Sequence, residues 1–303
     1  MSSEQIVSRA LESNAFEATA TAAGYITPTV WSRRIEEFAK AKLVVAPLGL
    51  QDNSLNGKEG STFYVAVDSE LTAGALTEST AIAAVAISYT QIAVTPTEYG
   101  IGVQVTRKNL DRAFKNTMEN ITKNMGYAMA KVKDTTIISG LVSSAGNSVV
   151  ANAVAATALA STDTIDTDDI ANAITTLRVD DEDANYIIIH PAQENDLLKL
   201  SDFIDASVYG GREVVLGGEI GRYLGMRVLV TTQISAGAGV GASSGRYALV
   251  IGDRPFVYCQ KRGVTFDKDY GVYSRAYDMA AVEDWGFAVL RSNSICTLLS
   301  YTA

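Results

Sequence analysis

Histidine is nearly absent: the 303 residues contain one, His190. Any Ser/His/Asp triad, Cys/His dyad or histidine-ligated metal site must pass through it. It stands between Ile189 and Pro191 with no GxSxG elbow and no HExxH run beside it, the setting of a strand end and helix cap rather than of a general base. Cysteine is almost as scarce. Cys259 and Cys296 lie in apolar surroundings with no CxxC spacing, which excludes a disulfide framework and a thiolate zinc site and predicts two buried, reduced thiols. Long apolar runs are missing too. No stretch approaches the roughly 18–20 uninterrupted residues of a membrane helix, and Met1–Gln5 lacks the basic and apolar regions of a secretion signal. The expectation is a soluble protein that stays where it is made. Finally, cations are in deficit. With 25 Lys and Arg against 34 Asp and Glu the net charge is −9, which argues against a protein built to grip phosphates but not against one that encloses nucleic acid.

What is present is apolar: 47% hydrophobic residues against 19% charged. That composition excludes disorder for the body of the chain and suggests one large or two closely joined domains. Residues 2–42 are rich in Ala, Glu and Thr, with a helix predicted over Val30–Ala41 carrying Trp31, Ile35 and Phe38; this reads as an arm lying on another surface. Between Leu50 and Thr106 the pattern has period two. Phe63, Val65 and Val67 form an outgoing row, Val85, Ile87, Tyr89, Ile92 and Val94 a return, and Ile101, Val103 and Val105 a further strand. The segment Asp68–Ala84 is the tip of a long hairpin, which has too little apolar face to stand alone and calls for a covering partner.

After Thr106 the period becomes 3.6, with Leu110, Phe114, Met118, Ile121, Met125, Met129 and Val132 on one stripe. The run predicts a helix from Arg107 to about Ser139, on the order of 50 Å long, ending at Gly140. Residues 140–161 read only as a loop or β-rich excursion. Thr167–Asp169 opens a helix whose Ile170, Ile174 and Leu177 face a core. A buried strand Tyr186–Ile189 follows, and then a helix with Pro191 at its first position. Strands at Met226–Thr231 and Tyr247–Ile251 complete an alternating α/β unit over 165–255. From Phe256 to Leu299 the chain is mostly strand, with Val264/Phe266, Trp285/Phe287/Val289 and Ile295/Thr297/Leu299 as inward rows.

Phosphate-binding and cation-binding patterns fail in detail. Gly57-Lys58 is followed by Glu59 rather than Ser or Thr, and Gly237–Gly241 lacks the third glycine of GxGxxG. Asp180–Asp183 has neither the alternating ligands nor the central Gly of a calcium loop and reads as a solvated acidic turn. Arg33-Arg34 and Lys131/Lys133 are too interleaved with acids for a nucleic-acid footprint. No catalytic, cofactor-binding or metal-binding residues can be assigned, and the chain reads as built for shape rather than as an enzyme.

Five pieces stand in a telling order: Tyr186–Pro191, Gly218–Val228, Ala248–Asp253, Arg262–Phe266 and Trp285–Arg291. Preceded by an arm, an extended loop and a long helix, they resemble the major capsid proteins of tailed phages of the Hong Kong 97 type. The resemblance implies an α+β capsid fold: N-terminal arm (1–50), extended β-hairpin loop (51–100), peripheral domain with the spine helix (101–164), axial α/β domain (165–255) and a β-rich return to the peripheral domain (256–303). It also implies pentamers and hexamers that close into an icosahedral shell around packaged double-stranded DNA, held without sequence-specific contact. The protein would then belong to the virion and assemble in the host cytoplasm, with no membrane. Further implied partners are a portal protein, a decoration protein and a scaffolding protein. Only about 50 residues precede the hairpin, which points to a separate scaffold. Lys58 is the sole candidate for a loop crosslink, and no motif marks an asparagine partner. A cellular shell of the same fold around a cargo enzyme, like the encapsulins, stays open as the alternative.

The charges are unevenly placed. Residues 51–100 carry Asp52, Glu59, Asp68, Glu70, Glu78 and Glu98 against Lys58 alone. The helix segment 107–134 carries Arg107, Lys108, Arg112, Lys115, Lys123, Lys131 and Lys133 against Asp111, Glu119 and Asp134. Because the extended loop of the family reaches a neighbouring subunit, Glu70 and Glu78 on one copy and Arg112, Lys115 and Lys123 on the next are candidate inter-subunit contacts. The competing expectation is that the basic helix meets scaffold or DNA.

Overall fold

The computed structural model describes residues 43–68, 71, 73–75, 86–110, 117–199, 222–234, 236–237 and 245–302. The predicted arm helix, most of the Asp68–Ala84 tip and most of Gly237–Gly241 lie outside these residues. By compactness the described chain forms two units, one of 98–131 and 262–284 and one of 43–97, 132–261 and 285–302.

The larger unit is built on a seven-stranded sheet among the described residues. Its strands are β5 (Asn147–Val150), β6 (Tyr186–Ile189), β7 (Arg222–Tyr223), β8 (Met226–Val230), β9 (Ala236–Gly237), β10 (Gly245–Ile251) and β13 (Ile295–Tyr301). The spatial order is β5-β13-β10-β6-β8-β7, with β9 at the end of β10. Helix α3 (Thr167–Val179) lays Ile170, Ala173, Ile174 and Leu177 against Ile187, Ile189, Val250, Cys296 and Leu298. Its start is set by Asp166, whose side chain accepts from the Asp169 amide at 2.8 Å while Asp169 accepts from the Asp166 amide, a reciprocal cap that satisfies two otherwise orphaned donors. Thr167 is thus the first helical residue and Asp166 the cap. Residues 256–303 are divided: 262–284 group with 98–131, whereas β13 joins this sheet.

The alternation expected of Ile295/Thr297/Leu299 is not present, because Ile295–Ser300 are all buried. Cys296 and Leu298 enter the α3 side, and Leu299 packs with Ala151 and Leu159 on the other. A strand covered on both faces reads as a continuous apolar run. Residues 140–161 resolve into the end of a helix, strand β5 parallel to β13, and two short 3₁₀ turns.

The smaller unit has β4 (Thr97–Thr106), a single turn α1 (Arg107–Leu110), the first half of α2 (Thr117–Ser143) and the far portions of β11 (Phe256–Gly271) and β12 (Ala276–Val289). Ile121 and Met125 pack on Val105, Val264, Phe266, Met279 and Ala281, so the period-two rows of β4 and β11 and the 3.6 stripe of the helix meet in one core cluster. The described part of the spine helix has 27 residues, about 40 Å. It does not stop at Gly140. A Cβ there would overlap the Phe287 ring; this glycine lets strand and helix approach within the larger unit instead of capping the helix. Gly286 admits a different close neighbour, the backbone of the Thr95–Pro96 connection, since a Cβ would come 2.8 Å from the Thr95 carbonyl oxygen.

Candidate assembly surface

The hairpin forms as the alternation predicts. β2 (Phe63–Asp68) pairs antiparallel with β3 (Tyr89–Val94), Phe63 opposite Val94 and Asp68 opposite Tyr89. One face, with Phe63, Val65 and Val94, packs on Leu55, Val257 and Cys259. The other face carries Tyr64 and Tyr89, each 61% exposed, and the chain beyond it leaves Leu71 and Ile87 exposed as well. A two-stranded ribbon with one face on the core and aromatic residues on the other has an unspent apolar surface of the kind that marks an interaction site.

The chain at residues 44–45, upstream of the ribbon, is tied to the spine helix by a group whose partners lie far away in sequence. Asp134, 3% exposed, accepts from the Val44 amide at 2.9 Å and the Val45 amide at 3.2 Å. Burial raises its pKa above the ordinary carboxylate value, against the lowering effect of the Val44, Val45 and Ala46 amides. Beside it Lys133 is also buried, its Nζ 5.7 Å from the Tyr258 ring centroid. Two of the charges counted on this helix therefore serve the interior. Of the proposed contact residues, Lys123 lies on the exposed side of α2; Glu70, Glu78, Arg112 and Lys115 lie outside the described residues.

The residues with the chemistry for catalysis or metal binding have structural roles. His190 is the N-cap of α4 (Pro191–Leu198): its Nδ1 accepts from the Ala192 amide at 3.2 Å, while Gln193 Oε1 accepts from the His190 amide at 3.0 Å. Burial, then the nearby Arg246 charge, lowers its pKa. Cys259 and Cys296 are buried and form no disulfide, and burial pushes the Cys296 thiol up to about 12. The acidic turn is an anchor as much as a solvated patch: Glu182 accepts from Arg291 at 2.6 Å and Asp180 from Asn147 Nδ2 at 2.7 Å. Gly57, at φ +69°, belongs to an exposed turn, and Lys58 is exposed beside it. No cluster of three or more metal-ligating side chains occurs among the described residues, and none of their helices is long and apolar enough to cross a membrane.

A family model described as phage capsid protein matches residues 88–290, about two-thirds of the chain. The chain belongs to the phage capsid protein family. Solved structures with the same fold include the capsid of Ralstonia phage GP4, at 14% identity and TM-score 0.68 over 84% of this chain and 87% of that one. The cyanophage Pam1 capsid matches at 12% identity and TM-score 0.70 over 96% and 97%. The capsid of a native GTA particle matches at 14% identity and TM-score 0.63 over 97% and 98%. No curated protein matches at the same significance. The protein is a major capsid protein of the Hong Kong 97-like fold; copies of it build the shell, and its place is the virion. The family is a phage family, which favours the viral shell over the cellular compartment.

Proposed function

We propose that this capsid protein assembles as pentamers and hexamers that close into an icosahedral shell around double-stranded DNA, and that it has a structural rather than an enzymatic role. The observation that carries the reading is the ribbon β2–β3, packed on its own core by one face and carrying exposed Tyr64 and Tyr89 on the other. The capsid of the native GTA particle, determined with C5 symmetry, supports the five-fold capsomer. On this reading the unit of 98–131 and 262–284 is the peripheral domain and the α3-covered sheet contains the axial domain. An acidic wall does not trap the polyanion it encloses. The portal, a separate scaffold and a decoration protein are the further partners, and the acidic loop docks through Glu70 and Glu78 on a neighbour's Arg112, Lys115 and Lys123. Electron microscopy and sedimentation of the expressed full chain test the reading. Shells or capsomers are expected; a monodisperse monomer at all salt and protein concentrations overturns it. Deleting Asp68–Ala84 should leave both units folded and abolish closed shells.

A further inference from the structure

Asn56-Gly57 is the one Asn-Gly pair in the chain. The pair has a chemistry of its own, because the amide nitrogen that follows an asparagine can attack that side chain's carbonyl carbon, and glycine, with no Cβ, hinders the approach least. The structure supplies the remaining conditions. The pair sits in the connection between β1 (Leu50–Asp52) and β2, where residues 56–60 are all exposed. Two backbone bonds close the turn, from the Asn56 amide to the Asn53 carbonyl at 3.0 Å and from the Lys58 amide to the Leu55 carbonyl at 3.1 Å. Neither occupies a reacting group: among the described residues no hydrogen bond engages the Gly57 amide or the Asn56 side chain. A Cβ at Gly57 would find no atom within 4 Å, so nothing packs against the peptide that has to turn.

Other asparagines are held away from this reaction. Asn53 shares the turn, but the Ser54 amide that would attack it donates to Asp52 Oδ1 at 2.6 Å. Asn147 gives its side-chain nitrogen to Asp180 Oδ2 at 2.7 Å and to the Asn293 carbonyl at 3.1 Å. Asn152 is bound through its main-chain and side-chain nitrogens, to Asp169 and Asp163 at 3.0 Å each.

We propose that Asn56-Gly57 is a site of spontaneous covalent modification, in which the Asn56 side-chain amide is lost through a cyclic imide and replaced by a carboxylate. The Gly57 nitrogen yields its proton to solvent base and bonds to Asn56 Cγ; the Cγ–Nδ2 bond breaks and the side-chain nitrogen leaves as ammonia, taking up a proton. Water then opens the ring. Cleavage of the new Cγ–N bond gives aspartate, and cleavage of the original peptide C–N bond gives isoaspartate, with no oxidant or reductant required. Either product adds a negative charge to a segment, 51–100, that already has six acids against one lysine. Isoaspartate also lengthens the main chain by a methylene between Leu55, which packs beneath the ribbon, and Phe63 at the ribbon's start. The change accumulates with the age of the protein.

The test incubates the folded full chain in mildly alkaline buffer and follows its peptides by mass spectrometry, with a urea-unfolded sample alongside. In the folded chain Asn56 should convert at least about tenfold faster than Asn53, release ammonia in step and yield both isoaspartate and aspartate. G57A should slow the conversion by a similar factor. Alanine is strained at φ +69°, so N56Q, which keeps the glycine, is the companion variant and should leave the turn peptide unmodified. Conversion confined to the unfolded sample overturns the proposal, because the turn would then hold the pair unreactive. Equal rates at Asn56 and Asn53 in the folded chain overturn it as well, and aspartate without isoaspartate overturns the cyclic route.

Discussion

Replacing Asp134 by alanine tests how the chain leaving residue 43 is fastened. Asp134 accepts two amides, Val44 and Val45, and Val45 has no solvent exposure. Truncation leaves both donors without that acceptor. A buried unsatisfied donor costs about 1–3 kcal/mol, so D134A should loosen the 43–48 segment by roughly 2–6 kcal/mol. At about 1.4 kcal/mol per factor of ten, even the lower bound gives about thirtyfold faster local exchange. Hydrogen–deuterium exchange of the peptide covering 43–48, normalised to β10, reads this directly. D134N keeps one acceptor oxygen and should fall between wild type and D134A. The pH dependence has a definite sign. The buried carboxyl holds its proton to higher pH than it does in the unfolded chain, so the native state is favoured less as pH rises from below 3.8 through the folded value. Wild type should show that loss of protection and D134N should not. Unchanged exchange in D134A particles that are otherwise intact would refute the reasoning.

Three further outcomes are expected. G140A should destabilise the larger unit by about 1–3 kcal/mol, since the added methyl meets the Phe287 ring; F287L in the same chain should restore part of the loss in denaturant unfolding, and equal damage in both would place the strain elsewhere. His190 has a lowered folded pKa, so its contribution is present above 6.5 and is lost as pH falls through the folded value. H190N, which caps without titrating, should flatten that part of the stability profile between pH 7.5 and 5. Reversing Glu70 and Glu78 to Lys should impair assembly at low salt, with partial rescue by acidic substitutions at Lys115 and Lys123. Exposed pairs contribute only about 0.2–1 kcal/mol each and are screened by salt, so normal assembly of the reversed loop at both low and high salt would end the docking idea.

Where an element buries one side only, its residues announce it. Phe63/Val65 on β2, Ile101/Val103/Val105 on β4 and Ile170/Ile174/Leu177 on α3 were legible because periodicity is the imprint of one-sided burial. The same logic fails for β13, whose two faces are both covered, and for β5, a four-residue edge strand whose partner lies about 150 residues away. Asp134 looked like one more helix charge because its hydrogen-bond partners are 89 and 90 positions distant. Gly140 looked like a helix terminator because glycine's two uses, ending a helix and admitting a close neighbour, are the same letter.

The position of β13 in the sheet has a consequence for biosynthesis. It lies between β10 and β5, and its Cys296, Leu298 and Leu299 enter both core layers of the larger unit. A nascent chain cut short anywhere before Ile295 therefore lacks an interior strand and leaves the edge of β10 open, with Val250 and Leu249 stripped of cover. Such a chain cannot present a finished surface to its neighbours. Because sheet closure waits on residues made after β12, a fragment that stops short of Ile295 exposes what β13 would cover and is a substrate for proteases and chaperones.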